Sequence, residues 1–342
     1  MAKRNVNIKD VAARAKVHPS TVSRVLNPET RSMVSSAVAE KVSRIAAEMG
    51  YARSSLAYGL RTGRSHTIGV VIPDLTNPLF PPIIRQIERT LADQGYIAVL
   101  ADSDNNQENE TAIVQSLMSR NVDGLILATA HRLDAVVSAC VEKHIPLVLV
   151  NRTIDTHSVT AVINDDEHGI ELAVSHLVDL GHESIAYLGG PQDTSTGHDR
   201  FLAFKRLMRK GGFKSHDDLI LNCTAFTEAE GHRGFLSILE KSRKFTAVVA
   251  ANDLLALGCY DAMAELGLSC PDDISVTGFN DMPFMNRLTP PLTSLRIPHD
   301  EIGNQAALLL LEQIVDPESP VRTVNLLPEL IVRGSTASPK ST

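Results

Sequence analysis

Two polar side chains stand four residues apart in the stretch PSTVSRVLN (19–27), and their chemistry suits the edges of nucleobases. If the stretch is helical, Ser20 and Arg24 share one face, because residues four apart are neighbours on a helix surface. An arginine can donate two hydrogen bonds at once to a guanine edge in the major groove. Short helix pairs are common, so an ordinary helical hairpin with a solvated Arg24 is the alternative.

The flanking residues predict the helices that would hold this face. Asn7 can cap a first helix, with Asp10 in its first turn, where a carboxylate suits the free N–H groups and the helix dipole. Residues 16–18 predict a turn, and Pro19 suits the first position of a second helix, where its missing N–H is not needed. A third amphipathic helix follows, with an apolar stripe formed by Val34, Val38, Val42, Ile45 and Met49.

The charge distribution divides the chain into a basic head and an acidic body. Residues 1–66 contain 12 Lys and Arg against 4 Asp and Glu, whereas the remaining residues contain 21 against 36. The head therefore carries +8 and the body −15, which points to a polyanionic partner for the head alone. The length of 342 residues and the hydrophobic content of 43% allow one small domain and one larger, bilobed domain.

From Thr67 onward, short apolar runs rich in β-branched residues alternate with amphipathic helices such as 82–94 and 110–120. This pattern is typical of parallel sheets covered on both faces by helices. The number of runs indicates two lobes. The predicted strands are TIGVVI (67–72), IAVLA (97–101), GLILA (124–128), LVLVN (147–151), SIAYLG (184–189), AVVAA (247–251) and SVTGF (275–279).

Open parallel sheets bind ligands beyond the carboxyl ends of their strands. That rule nominates four segments in which polar groups directly follow an apolar strand, namely 74–80, 151–152, 252–253 and 279–281.

The sequence carries no motif of a common enzyme class. It has no GxSxG elbow, no GxGxxG after the first strand, no Walker motif and no HExxH pair. The four cysteines are scattered, which argues against a disulfide framework and a zinc site, and no cofactor or metal is expected. Neither a secretory signal nor an apolar run of membrane-spanning length is present, so we expect a cytoplasmic protein with no membrane partner.

Several motifs resemble the lactose-repressor (LacI/GalR) family of bacterial transcription regulators. The matching stretches are IKDVA and TVSRVLN in the head, the pair Gly50-Tyr51, and GRSHTIGVVIPDLTNPLF (63–80). The resemblance continues to about Gly334. It implies an all-α helix-turn-helix headpiece followed by an α/β bilobed core of the type I periplasmic-binding-protein class.

The resemblance also implies domain boundaries. The headpiece would cover 1–51, the hinge 52–66 and the effector-binding and dimerisation core 67–334, followed by a disordered tail at 335–342. Crossovers near residues 164, 294 and 325 would divide the core into an N-lobe (about 67–164 and 295–324) and a C-lobe (about 165–294 and 325–334).

Functional residues carry over by position. In the hinge, a leucine of the family wedges into the minor groove and kinks the duplex, and Leu60 occupies that position. The usual Arg after the hinge Ala57 is replaced by Tyr58, and Gly59 lowers the helix propensity. The implied DNA contacts are Pro19, Ser20, Thr21, Ser23, Arg24, Asn27 and Leu60. The implied effector contacts are Leu79, Phe80, Asn151, Asn164, Thr196, Arg200, Phe226, Asn252 and Asn280.

These contacts suggest a sugar or sugar acid as effector, because Arg200 offers a fork of donors and Phe80 and Phe226 offer flat apolar faces. Purine-binding members of the family have an Arg in place of Thr194, so a purine is the alternative effector. Each residue also has a structural alternative. Asn252 and Asn280 could cap helices, the two phenylalanines could be core residues, and Arg200 could pair with a neighbouring acid such as Asp193 or Asp199.

The sequence as a whole predicts a homodimeric transcriptional repressor that binds a palindromic operator and responds to a small molecule through allosteric coupling. Many sugar-binding members have Asp where Asn151 and Asn280 stand, so the effector is left open. Two other interpretations also remain open. One is control by a protein corepressor, and the other is a solute-binding protein, which would have no use for residues 8–50.

Overall fold

The computed structural model describes residues 6–51, 63–156, 158–211, 217–242 and 245–340. The chain divides into two compact units, one up to Ser65 and the other from His66 onward. Leu60 and the other predicted hinge residues at 52–62 lie outside the described residues.

The described residues of the first unit form three principal helices and one short one. They are α1 (Ile8–Ala15), α2 (Pro19–Val25), α3 (Pro28–Arg31) and α4 (Ser36–Glu48). The predicted third helix begins at Ser36, so Val34 packs against the core from the preceding loop.

Local capping fixes the start of α1. The side chain of Asn7 accepts hydrogen bonds from the backbone N–H groups of Lys9 and Asp10, and the carboxylate of Asp10 accepts one from the Asn7 N–H at 2.9 Å. This reciprocal arrangement is a capping box. The helix ends at Lys16, which adopts a left-handed conformation (φ 56°), and the chain then turns into α2. The small core of this unit includes Val11, Ala12, Ala15, Val22, Val25, Ala39, Val42, Ile45 and Ala46.

The second unit contains two six-stranded sheets. The first has the order β11-β5-β4-β3-β1-β2, and all of its pairings are parallel. Its strands are β1 (Thr67–Ile72), β2 (Ile97–Asp102), β3 (Gly124–Leu127), β4 (Leu147–Val150), β5 (Thr160–Asn164) and β11 (Thr323–Leu326).

The second sheet has the order β12-β10-β9-β8-β6-β7. It is parallel except at its edge, where β12 runs antiparallel to β10. Its strands are β6 (Ile185–Gly189), β7 (Ile220–Asn222), β8 (Ala247–Ala250), β9 (Ser275–Asn280), β10 (Thr293–Arg296) and β12 (Glu329–Ile331).

Helices pack against these sheets, as the alternating pattern predicted. They are α5 (Phe80–Asp93), α6 (Gln107–Ser119), α7 (Ala135–Glu142), α8 (Asp166–Asp179), α9 (Ser195–Lys210), α10 (Glu228–Lys241), α11 (Asp253–Glu265) and α12 (His299–Val315). Helix α12 packs against α5 and the first sheet, whereas α8 and α9 pack against each other beside the second. The predicted fold class, a helix-turn-helix head followed by a bilobed α/β core, is confirmed.

The chain crosses between the two sheets three times. The first crossover follows Asn164 at the end of β5. The other two follow β10 and β11, a few residues beyond the predicted positions 294 and 325. Each strand first completes its pairing, since Arg296 is in register with Asn280 of β9, and Leu326 with Asn164 of β5.

The prediction of a disordered tail from Ser335 onward is wrong for residues 335–340. Ser335 is fully buried, and its Oγ accepts a hydrogen bond from the Thr293 N–H at 2.8 Å and donates one to the Val276 carbonyl oxygen at 2.6 Å. The tail polarity that suggested disorder instead satisfies backbone groups of β9 and β10.

Candidate ligand cleft and nucleic-acid interface

A cleft with a cavity of about 160 Å³ lies between the two lobes of the second unit. It is lined by segments that follow the carboxyl ends of strands in both sheets. Asp74 and Asn151 follow β1 and β4 of the first sheet, whereas Asn252 and Asn280 lie at the ends of β8 and β9 of the second. The structure therefore brings together all four segments that the strand-end rule nominated.

Of the nine predicted effector contacts, all except Asn164 line this cleft. The eight are Leu79, Phe80, Asn151, Thr196, Arg200, Phe226, Asn252 and Asn280. Asn164 instead lines a second, acidic cavity, which also includes Asp165 and Glu171. It is the last residue of β5, at the first crossover, and both atoms of its side-chain amide are buried without a hydrogen-bond partner.

Arg200 is built into the cleft wall. Its side chain is 2% exposed, and its Nε donates to the Asp166 carboxylate at 2.8 Å while Nη1 donates to the Ala251 carbonyl oxygen at 2.6 Å. Its guanidinium also lies 3.7 Å from the centre of the Phe279 ring. The anticipated acidic partners, Asp193 and Asp199, are not the ones it uses. Burial raises the pKa of Asp166 to about 6, and the Arg200 cation opposes that rise.

The asparagines that line the cleft at strand ends, Asn151, Asn252 and Asn280, play different roles. Asn252 caps α11, since its Oδ1 accepts a hydrogen bond from the Leu255 N–H at 2.8 Å, which confirms the capping alternative for this residue. Asn151 and Asn280 make no such cap. Both have positive φ, 65° and 109°, and their Oδ1 atoms are buried without a protein partner. Residues in sparsely populated backbone regions often cluster at ligand sites, where the surrounding structure holds them.

The two predicted aromatic contacts differ in burial. Phe80 begins α5 and is almost fully buried, so it is part of the core as well as the cleft wall. Phe226 is half-buried and comes from the loop before α10. Its ring approaches the chain at Gly190, where a Cβ atom would lie 2.1 Å from it. Only glycine allows this close approach, which sets the ring beside the cleft.

Several lining residues were not among the predicted contacts. Asp74, Asn77 and Arg152 fall inside the nominated segments, so the strand-end rule contained their signal. The other polar lining residues lie outside those segments, in loops whose approach depends on the tertiary fold: Asn105, His131, Asp193, Thr194, Thr224 and Thr227. Of these, the sequence connected only Thr194 with the effector, as the position where purine-binding members have an Arg.

The cleft also carries direct contacts between the lobes. The ring of His131, from the first lobe, lies 3.2 Å from the carboxylate of Asp193 in the second. The Thr153 N–H donates to the Ser195 hydroxyl at 3.0 Å. Each of these bonds joins the two lobes, so a change in the lobe orientation would alter them.

In the first unit, the predicted DNA-reading face is exposed. Ser20 and Arg24 on α2 are exposed, and Pro19, Thr21 and Ser23 are partly so. Asn27 is different, because it is 3% exposed and its carbonyl oxygen accepts a hydrogen bond from the Arg31 N–H at 2.9 Å.

The residue before α2 contributes a cap that the sequence did not suggest. His18 was predicted as part of the turn, but its Nδ1 accepts a hydrogen bond from the Ser20 N–H at 3.2 Å. The same nitrogen lies 2.7 Å from the Ser20 hydroxyl, which fixes the position of that side chain on the exposed face.

Comparisons with known proteins give a family match for each of the two units. The family described as "Bacterial regulatory proteins, lacI family" matches residues 7–54, and "Periplasmic binding protein-like domain" matches residues 174–336. The ribose operon repressor of Escherichia coli K12 is 31% identical over 340 residues, covering 96% of this chain and 99% of its own length. The chain belongs to the LacI family.

Two further members extend this similarity. The HTH-type transcriptional repressor PurR of Vibrio vulnificus is 33% identical over 333 residues, covering 95% of this chain and 97% of its own. A crystal structure described as the lac repressor dimer bound to operator and the anti-inducer ONPF has a TM-score of 0.85 at 28% identity, and the match covers 98% of this chain and 100% of that one.

Membership of the LacI family confirms the predicted function at the level of the class. The protein is a DNA-binding transcriptional repressor controlled by a small molecule, and not an enzyme. In the described part of the chain, no helix combines the length and apolarity that crossing a membrane requires.

Proposed function

We propose that the inter-lobe cleft binds a small sugar-type effector, and that this effector lowers the affinity of a homodimer for a palindromic operator. One observation carries the proposal. The buried Oδ1 atoms of Asn151 and Asn280 line the cleft and have no protein partner. A buried acceptor without a partner is costly, so these atoms call for a ligand that donates hydrogen bonds.

Hydroxyl groups meet this requirement better than most ligand groups, because each can donate and accept at once. The carbonyl oxygens of the two asparagines would accept from ligand hydroxyls. The side-chain N–H groups of Asn252 remain available as donors, since its cap uses only the oxygen. The exposed part of the Phe226 ring offers an apolar face to the C–H surface of a sugar ring.

A purine fits the cleft less well. The purine-binding pattern has an Arg in place of Thr194, and here Thr194 is buried and occupied with local bonds. Its hydroxyl donates to the Pro191 carbonyl oxygen at 2.9 Å and accepts from the Gly197 N–H at 3.2 Å, which caps α9. No charged donor therefore stands at that position.

The proposed control follows from the placement of the cleft between the lobes. An effector that contacts both lobes favours the lobe orientation in which its contacts are best, and it shifts the equilibrium by its difference in affinity for the two states. The first lobe begins at Thr67, directly after the hinge segment, so the chain itself couples the lobes to the headpiece. We propose that the effector-bound orientation is the one that binds DNA less tightly.

For operator recognition, we propose that α2 enters the major groove with Arg24 as the principal base-reading side chain and Ser20 beside it. Pro19, Thr21 and Ser23 would complete the contact surface. Asn27 would act through the turn that it stabilises, because its side chain is buried. Leu60 would provide the minor-groove wedge.

Asn164 lines the second cavity, so we propose no effector contact for it. A protein of this function acts where the chromosome is, so we propose a cytoplasmic location.

Binding of the purified protein to glucose, galactose, ribose, their acid derivatives, adenine and hypoxanthine tests the effector class, with operator release as a second readout. We expect a compound of the sugar class to raise the Tm by mass action. A response to the purines alone would refute the proposal.

The variant Asn151→Gly tests the contact. It removes the unpartnered acceptor while keeping a residue suited to φ 65°. We expect it to weaken sugar binding by about tenfold, the cost of one good hydrogen bond. Asn121→Gly is the matched control, because Asn121 also has positive φ (56°) but lies exposed between α6 and β3, outside the cleft.

A further inference from the structure

Two buried arginines line the cleft, and they differ in how their charge is met. Arg200 is paired with Asp166. Arg152, which immediately follows Asn151, is 8% exposed and has no carboxylate within 4 Å of its guanidinium among the described residues. Its Nε has no hydrogen-bond partner, and Nη1 reaches only the Thr129 carbonyl oxygen, at 3.5 Å.

The acidic groups around Arg152 are engaged elsewhere. Glu110 is buried and accepts a hydrogen bond from the Thr129 hydroxyl, and burial raises its pKa. Asp193 is largely exposed and contacts His131. Both carboxyl groups act on Arg152 only at longer range. Burial lowers the pKa of Arg152 to about 10, so the side chain is a cation at neutral pH.

A buried cation without a contacting anion is costly, and proteins usually satisfy such a group with a hydrogen-bonded counter-ion. The fork of N–H donors on arginine matches the two oxygens of a carboxylate. The acidic residues that line the cleft are Asp74, which is partly buried, and Asp193, which is exposed. Their negative charges would repel a doubly charged phosphate more strongly than a singly charged carboxylate.

We infer that Arg152 is a specificity-determining residue that binds a carboxylate of the effector, and that the effector is a sugar acid rather than a neutral sugar. This inference rests on the proposed sugar-type function and narrows it. In this arrangement, Asn151 and Asn280 accept from the hydroxyl groups of the ligand, and Arg152 neutralises its acid group. Arg200 is a fixed part of the wall, since Asp166 already balances its charge.

The first test uses the wild-type protein and matched pairs of ligands. Calorimetric titration would compare glucose with gluconate and glucuronate, galactose with galacturonate, and ribose with ribonate and ribose 5-phosphate. We expect the best acid to bind at least about tenfold tighter than its parent sugar, since a charge-assisted hydrogen bond is worth about twice a neutral one. This arm requires no variant.

The second test removes the charge of Arg152. Arg152→Met keeps the length of the side chain, and we expect it to lose the preference for the acid over the parent sugar. Because it also removes an uncompensated buried cation, we expect the ligand-free variant to have a Tm equal to or above that of the wild type. A merely structural role for Arg152 would instead lower the Tm and weaken acid and parent sugar equally.

Arg132→Met is the matched control. Arg132 carries the same charge and directly follows the cleft residue His131, but it is paired with Asp155 at 2.9 Å and does not line the cavity. We expect its acid preference to stay within about twofold of wild type, since a partly exposed, already paired charge has a small effect.

The outcomes separate the two proposals. If a neutral sugar binds as tightly as its acids and Arg152→Met leaves its affinity unchanged, the inference is overturned and the sugar-type function stands. If ribose 5-phosphate binds tighter than every carboxylate, the carboxylate assignment is overturned. If only purines bind, both the inference and the proposed function fail.

Discussion

The exposed face of α2 and the wall of the inter-lobe cleft both contain an arginine, but the two regions are built differently. Arg24 stands on a short helix, exposed, and its placement depends on local capping and three helices within about forty residues. Arg200 is buried and tied to Asp166 and Ala251, which lie far from it in sequence. We therefore expect a change in the α2 face to affect binding alone, whereas a change in the cleft wall should also affect stability.

The largest expected effect is the one that removes Arg200. Arg200→Ala leaves the Asp166 carboxylate buried without its partner, so we expect it to lower the free energy of unfolding by about 3–5 kcal/mol. Denaturant unfolding monitored by circular dichroism measures this loss. Arg206→Ala, which breaks an exposed ion pair with Glu167 between the same two helices, is the control and should cost little.

A second change separates the charge effect from the loss of packing. Combining Arg200→Met with Asp166→Asn removes both charges and keeps most of the volume, so it should recover part of the stability. If Arg200→Ala abolished ligand binding and left stability unchanged, Arg200 would be a ligand contact only and the contrast with Arg24 would disappear.

The next effect concerns Arg24. Arg24→Ala should weaken binding to the specific operator by about 1–3 kcal/mol and weaken binding to random DNA much less, since it removes a bidentate base contact. Its Tm should match that of the wild type. Fluorescence anisotropy on both DNAs measures the two affinities, and Arg44→Ala, an exposed charge on α4, is the control. Equal losses on the two DNAs would make Arg24 a phosphate contact instead.

Asp253, which directly follows the cleft residue Asn252, should make the free energy of unfolding depend on pH. Asp253 is fully buried behind the cleft, where it accepts hydrogen bonds from the Met282 N–H and the Ser294 hydroxyl, and burial raises its pKa to about 7. Because the folded-state pKa lies above the ordinary aspartate value of 3.8, the folded state holds the proton more tightly. The stability contributed by this group is present below about pH 4 and is lost as the pH rises towards 7.

We therefore expect the free energy of unfolding to fall with rising pH in this window, by at most about 1.4 kcal/mol per pH unit from this group. Asp253→Asn keeps the shape of the side chain and an acceptor for the Met282 N–H, while its amide N–H group can donate to the Ser294 hydroxyl, and it should remove this part of the slope. Denaturant titrations between pH 4.5 and 7.5 on both proteins provide the comparison. Parallel pH profiles would show that Asp253 does not titrate in this range.

The smallest effect tests how local the headpiece is. Asn7→Ala breaks the capping box of α1 and should cost about 1 kcal/mol of stability. Ser35→Ala is the control, because Ser35 precedes α4 without making a side-chain cap, so its loss should have little effect. Thermal unfolding of the two variants measures the difference. If both variants lost the same stability, the cap hydrogen bonds of Asn7 would make no contribution of their own.

Much of the architecture follows from the sequence, because it depends on local chemistry. Asn7 and Pro19 mark helix starts, and every predicted strand of the body appears in the structure within a residue or two. The strand-end rule nominated segments that do meet at the cleft, because parallel strands bring their carboxyl ends to one edge. Five strands of the described residues were not predicted, namely β5, β7, β10, β11 and β12. Of these, β7 and β12 have only three residues, which carry too little periodicity.

Other features were decided only by the tertiary structure. The polar tail from Ser335 onward was predicted to be disordered, but the Ser335 hydroxyl bonds backbone groups of β9 and β10, and the Ala337 N–H donates to the Ser275 hydroxyl of β9. Asn164 looks equivalent to Asn151 in sequence, yet Asn151 lines both cavities, whereas Asn164, at the crossover after β5, lines only the second. Arg200, on α9, is paired with Asp166, whereas Arg152, just after β4, has no carboxylate within 4 Å among the described residues. The burial of a residue and its hydrogen-bond partners depend on segments that are distant in sequence. The sequence therefore determined which side chains lie at the cleft, and the tertiary packing determined which of them have no partner.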